Sequence, residues 1–147
     1  MKLYREYRRM DQLSPLIIEG LALEIIAEVT RREFRLERRP PRWLLQARDL
    51  LQAEFSRNLT LNSLAKSVGI HPVHLATTFR QHYRQTVGEY VRQLRIEYAC
   101  GELSASDAPL VDIALAAGFF DQGHFSKTFK RFTGISPARF RETMRSS

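Results

Sequence analysis

Cysteine occurs once in this chain of 147 residues, at Cys100. A single thiol excludes an intrachain disulfide and any zinc site built on several cysteines, and it fits a reducing cytosol. Cys100 lies between Ala99 and Gly101 in a helical pattern and reads as a small, half-buried residue. A catalytic thiol would need a base or an anion hole, and no local pattern supplies either. The histidines, His71, His74, His82 and His124, have no carboxylate or cysteine set at metal-ligand spacing. No metal, cofactor or catalysis is expected. Long apolar runs are missing too, with nothing near the ~20 residues of a membrane span, so no membrane partner is expected. The opening Met1-Lys2-Leu3-Tyr4-Arg5-Glu6 is too polar for a signal peptide. Acids are in deficit: 16 Asp and Glu stand against 23 Lys and Arg, a net charge of +7. Residues 41–147 carry five of those excess charges and residues 1–40 carry two. A basic balance suits an anionic partner, and alone says little more.

What the chain does have is one pattern written twice. Leu64-Ala65-Lys66-Ser67-Val68-Gly69-Ile70 is followed by Leu75 and Phe79-Arg80. Ile113-Ala114-Leu115-Ala116-Ala117-Gly118-Phe119 is followed by Phe125 and Phe129-Lys130. The offset is 49 residues as far as the glycine and 50 afterwards, so the second copy has one extra residue in its turn. Thr86 and Ser136 correspond, as do Tyr90 and Phe140. A repeat of this kind marks a duplicated supersecondary unit, here helix, glycine turn, helix. Leu61, Leu64, Ala65 and Val68 fall on one helical face. Gly69 takes the left-handed position past the helix, and Pro72 opens the next one. Ala65 and Ala114 are small where helices must approach closely. Leu75, Phe79, Leu94, Tyr90, Phe125 and Phe129 are the expected core. In the second copy Asp107 is a candidate cap for the first helix and Asp121 for the second.

The rest of the chain frames the repeat. Leu3, Tyr4, Tyr7, Met10 and Leu13 have helical spacing, and Ser14-Pro15 starts a second helix that runs to about Arg32. Ile18, Ala22, Ile25 and Val29 step by four, three and four, a coiled-coil-like seam. That seam suits either burial in a hairpin or a second subunit. Pro40-Pro41 ends the pattern, and Trp43, Leu44, Ala47, Leu50, Leu51 and Phe55 make one amphipathic helix. Between the repeats, Thr86 and Glu89 form a capping box for a helix from Val87 to about Leu103. Such a helix is a rod of roughly 26 Å. Recognition helices that meet successive major-groove segments on one face of DNA sit ~34 Å apart, and a rigid connector sets that kind of separation. The expected architecture is all-α: a helical hairpin over 1–38, a linker over 39–42, and a domain over 43–145. Its helix-turn-helix units span about 60–83 and 109–132.

The stretch from Trp43 to Arg141 resembles the DNA-binding domain of the AraC/XylS family of bacterial transcription factors. The second copy carries the most specific match: Asp112-Ile113-Ala114, Ala117-Gly118-Phe119, Asp121-Gln122-Gly123-His124-Phe125-Ser126-Lys127, Phe129-Lys130-Arg131, Gly134-Ile135-Ser136-Pro137 and Phe140-Arg141. The first copy and Tyr90, Leu94, Arg95 and Ala99 match as well. The resemblance implies seven helices, two helix-turn-helix subdomains joined by a long helix. Members typically carry a sensor domain ahead of this one. Residues 3–33 are similar to that domain's last two helices, which help form dimers, and the sequence leaves no room for its ligand pocket. The chain is thus a naturally short member or lacks an upstream part.

The resemblance also implies a function: a sequence-specific regulator of transcription on double-stranded DNA, an activator touching RNA polymerase, in the cytoplasm with the nucleoid. The alternative is an interaction protein that forms a homodimer, or a mixed dimer with a full-length paralogue, through Ile18, Ala22, Ile25 and Val29. Base contacts are expected from Val73, His74 and Thr77 in the first unit, with His71 and Arg80 as added support. In the second they are expected from Gln122, Gly123, His124 and Lys127. Gln122 suits adenine; Lys127 suits guanine or a phosphate. Asp121 suits a cap better than a base, and His124 has a phosphate as its other reading. Arg80, Arg84, Thr86, Lys130, Arg131 and Ser136 are the expected phosphate contacts, with a solvated basic face as the plain alternative for the cations. The sequence departs from the family in two places. Arg84 stands where the family has a glycine, and Thr77 where it often has a long polar side chain.

Overall fold

The computed structural model describes residues 20–28, 31 and 39–147. The chain divides into two units, 1–39 and 40–147. In the first unit residues 20–28 are helical, Ala22 is half-buried and Ile25 is exposed. Ile18 and Val29 lie outside the described residues, as do the helix expected before Ser14 and the Ser14-Pro15 start.

Residues 40–147 hold seven helices and, among the described residues, the chain has no strand. They are α1 Arg42–Glu54, α2 Leu61–Val68, α3 Pro72–Tyr83, α4 Val87–Ala105, α5 Leu110–Ala116, α6 Gln122–Thr133 and α7 Pro137–Arg145. Local chemistry sets most boundaries. The Thr60 hydroxyl accepts from the Ser63 N–H, and the Ser63 hydroxyl accepts from the Thr60 N–H. Thr86 and Glu89 close the same reciprocal box on α4. Gly69, at φ +71°, ends α2, and Gly134, at φ +85°, ends α6. Arg84 ends α3 in the same left-handed region, at φ 57°, a conformation that costs a side-chain-bearing residue ~1 kcal/mol. Asp107 does not cap α5. Pro109 holds that position without a side-chain bond, and the Asp107 carboxylate pairs with Arg145 on α7. The physical reason is distance along the chain: Asp107 is too far from Leu110 to reach its first N–H groups.

Two apolar cores result. Leu44, Ala47, Leu51, Leu64, Ala65, Leu75 and Phe79 form the first. Ile96, Ala99, Leu103, Ile113, Ala114, Ala117, Phe119, Phe125 and Phe129 form the second. Helix α4 serves both. Val87, Tyr90, Val91 and Leu94 pack on the first core, while Ile96, Ala99 and Leu103 are buried in the second. Each large side chain buried this way is worth roughly 1.5–3 kcal/mol, so neither core can detach without stripping half of α4.

The two helix-turn-helix units within residues 40–147 also touch directly. A Cβ placed on Gly118 would lie 2.6 Å from the Ser56 carbonyl oxygen, so the turn of the second unit rests on backbone just beyond α1. The Arg95 guanidinium donates to the Phe55 carbonyl at 2.8 Å and the Arg57 carbonyl at 3.1 Å. The Phe55 carbonyl stands at the C-cap of α1, where helical partners run out, and the Arg57 carbonyl lies in the turn beyond, where it also accepts from the Leu59 N–H. The same guanidinium lies 5.9 Å from the centre of the Phe119 ring, within cation–π range. Phe55 and Tyr98 add a ring contact at 5.6 Å.

Candidate nucleic-acid interface

Helices α3 and α6 are the second helices of their units, and each is built to leave its N-terminal end in solvent. Leu75 and Phe79 bury one side of α3 completely, which turns Val73, Thr77 and Arg80 outward. Phe125, Thr128 and Phe129 do the same for α6, and Gln122, Gly123, His124, Lys127, Lys130 and Arg131 are exposed. Asp121 caps α6 by accepting from the His124 N–H at 2.7 Å. His71 caps α3 through its ring nitrogen, which accepts from the Val73 N–H at 3.3 Å.

Several side chains are already engaged. The His74 ring stands 5.4 Å from the Trp43 ring of α1. The Thr77 hydroxyl donates to the Val73 carbonyl at 2.8 Å, which leaves its methyl as the free part. The His124 and Phe119 rings stand roughly perpendicular with their centres 5.5 Å apart. The Thr86 hydroxyl and N–H are both taken by Glu89. Those bonds, led by the Thr86 N–H and aided by the charges of Arg92 and Arg80, hold the Glu89 carboxyl below its usual range. The start of α4 is thus sealed by the chain's own anion. At the start of α7, the exposed Ser136 accepts from the Arg139 N–H, and no acid stands in the first turn.

Between α3 and α6 lies a cleft of about 890 Å³. Arg80 of α3, Arg92 and Arg95 of α4, and Lys127 and Arg131 of α6 line it, with His124 and Thr77, and no carboxylate does. Arg84, Lys130 and Ser136 are exposed outside that lining. Arg92 and Arg95 were not among the residues expected at the site. Both lie on the connecting helix, whose helical pattern gives no sign that one of its faces opens on a gap between neighbours. Cys100 packs against the second core, and burial pushes its thiol pKa up, so it stays protonated at neutral pH. Among the described residues no group of His, Cys, Asp and Glu could hold a metal, and no helix is long and apolar enough to cross a membrane.

Comparison with known proteins bears directly on this arrangement. A helix-turn-helix domain family matches residues 64–143. The HTH-type transcriptional activator AarP of Providencia stuartii is 35% identical over 91 residues, 62% of this chain and 67% of that protein. Among solved structures, the C-terminal domain of AraT, a response regulator from Geobacillus stearothermophilus, superposes with a TM-score of 0.69. It is 31% identical and covers 72% of this chain and 88% of that one. The DNA-binding domain of AdpA, solved in complex with a target DNA, shares the fold at a TM-score of 0.67 and 20% identity, over 70% of this chain and 93% of that one. The duplicated unit, the shared connecting helix and these matches agree: the chain belongs to the AraC/XylS family of helix-turn-helix, DNA-binding transcription regulators.

Proposed function

We propose that the chain activates transcription by reading two adjacent major-groove segments of one duplex, one with α3 and one with α6, and that it does so without chemistry of its own. The observation that carries this is the cleft. Two helices with outward N-terminal ends flank a surface lined by five cationic side chains and no carboxylate. Phosphates of the segment between two major grooves would meet that surface. Arg80, Lys127 and Arg131 belong to it, and Arg84, Lys130 and Ser136 extend it.

In the second unit Gln122, Lys127 and His124 supply groups that can pair with base edges. In the first, Val73 and the Thr77 methyl offer apolar contact to thymine. Contact with RNA polymerase and placement with the nucleoid in the cytoplasm belong to the same reading. So does the division into a pairing segment over 1–38, a linker over 39–42 and a DNA-binding domain over 43–145. Exposed Leu23 and Ile25 on the helix at 20–28 support the pairing role, for a homodimer or a paralogue.

The test is selection from a randomised duplex library at two salt concentrations. Two enriched blocks about one helical turn apart support the reading in full. One block would confine base reading to α6. Steep salt dependence with no enriched block would mean phosphate contact alone.

A further inference from the structure

The repeat contains an inserted residue, and the structure identifies it. Ile70 and Phe119 correspond at an offset of 49, and the caps His71 and Asp121 at an offset of 50. The insertion therefore falls between Phe119 and Asp121, and it is Phe120.

Its position has a well-defined ordinary use. The residue before a helix cap packs on the fourth helical residue, an apolar staple that fixes how the chain enters the helix. For α6 those residues are Phe120 and Phe125. In the first unit Ile70 holds the place before the cap and packs on the first core. In the second, Phe119 takes over the packing: it is buried, with its ring 5.2 Å from that of Phe125. Phe120 is left 90% exposed, the most exposed large apolar side chain among the described residues. This aromatic ring stands in water at the start of a recognition helix, directly before Asp121 and Gln122 in the chain, next to the residues proposed to read bases.

We infer that Phe120 is a further specificity-determining residue, which packs its ring on the C5 methyl of a thymine at the edge of the segment read by Gln122. This rests on the function proposed above. The chemistry fits the site: the ring brings no charge or donor to compete with the base edges, and thymine alone among the DNA bases carries a methyl in the major groove. The extra residue of the second turn thus adds a reading position that the first turn lacks.

The experiment uses the full chain and the duplex it enriches from a random library. Each thymine of that duplex is replaced in turn by uracil, which removes only the methyl. Wild type is expected to lose roughly fourfold in affinity at one thymine beside the position that Gln122→Ala relaxes. Phe120→Ala is expected to bind the parent duplex more weakly by at least that factor, and to ignore the same replacement. Phe120→Leu should restore part of the discrimination. Equal affinity and equal uracil profiles for wild type and Phe120→Ala would overturn the inference. So would a Phe120→Ala loss shared by every duplex, because that is not methyl reading. A variant that binds DNA normally and fails only in transcription would also overturn it, and would assign Phe120 to a protein contact. If wild type enriches no sequence at all, the proposed function fails first, and this inference with it.

Discussion

The two helix-turn-helix units share a plan and differ in how much each holds in place. Gly69 and Gly118 occupy equivalent turns with left-handed backbones, at φ +71° and +96°. A side chain at Gly69 would meet open space, whereas one at Gly118 would collide with the Ser56 backbone. The first turn shapes its own unit. The second also seats one unit on the other, with Arg95 and Phe119 beside it. The outward faces differ in the opposite sense: short groups at Val73 and Thr77, long polar ones at Gln122 and Lys127. On the function proposed above, the first unit would offer bases apolar contact and the second the groups suited to paired hydrogen bonds.

The sharpest way to break this comparison is to put alanine at both glycines. Gly69→Ala should cost about 1 kcal/mol, the price of a left-handed backbone. Gly118→Ala adds an overlap with backbone that cannot rotate away, and should cost about 3 kcal/mol or more. Thermal or urea unfolding of the two variants measures the difference. Equal losses would mean that the Ser56 contact does not hold the units together.

The next effect is on reading. Gln122→Ala and Lys127→Ala should each lose about 1–3 kcal/mol of discrimination at a base position, if each makes a paired contact. Val73→Ala and Thr77→Ala should lose less than 1 kcal/mol, the scale of a single methyl or methylene contact. Competition binding against single-base variants of the selected site gives all four values. A Lys127→Ala loss that is the same for every sequence, with a shallower salt slope, would move Lys127 to the phosphates. A larger loss at Thr77 than at Gln122 would reverse the roles of the units.

Much of this was legible because duplication and capping are local. Gly69, Gly118, Thr86, Glu89 and Asp121 sit where spacing along the chain places them, and each does what its own chemistry favours. The contacts that set one unit against the other were not legible. Arg95 reaches carbonyls 38 and 40 residues away, and nothing in a helical pattern says which charged side chain turns inward. The histidines of α3 were unreadable for a related reason: an imidazole at a helix start reads equally as a cap, a ring contact or a base contact. His71 takes up the cap, and His74, still exposed, stands beside the Trp43 ring. Asp107 misled because an acid shortly before a helix suggests a cap, while its partner, Arg145, is brought near only by the fold.

A smaller test compares the two helix ends that follow recognition. Arg84 and Gly134 both stand in the left-handed region, and space around Gly134 is open. Gly134→Arg should therefore cost only backbone strain, ~1 kcal/mol, and Arg84→Gly should recover a similar amount less the entropy that glycine adds to the unfolded chain. Melting temperatures of the pair decide it. If Arg84→Gly stabilises the fold and weakens DNA binding, the arginine is kept for its charge, in spite of its backbone.

The smallest expected effect separates the capping boxes of α2 and α4. The box at Thr60 uses Ser63, which does not titrate in this range; the box at Thr86 uses Glu89, which does. Hydrogen bonds from Thr86 hold the Glu89 carboxyl below its ordinary value of 4.5. A carboxylate depressed in the folded state contributes stability that is whole above the unfolded value. That contribution is lost as pH falls through the lower folded value. Glu89 is solvent-exposed, so the contribution is small, about 0.3 kcal/mol, as for an exposed charge at a helix start. Glu89→Gln keeps a side chain that can accept from the Thr86 N–H and removes the titration. Between pH 7 and pH 3 the stability gap between wild type and Glu89→Gln should therefore narrow, with the change centred below pH 4.5. A gap that stays constant over that range would show that the Thr86 box holds α4 as an uncharged hydrogen bond, as the Thr60 box holds α2.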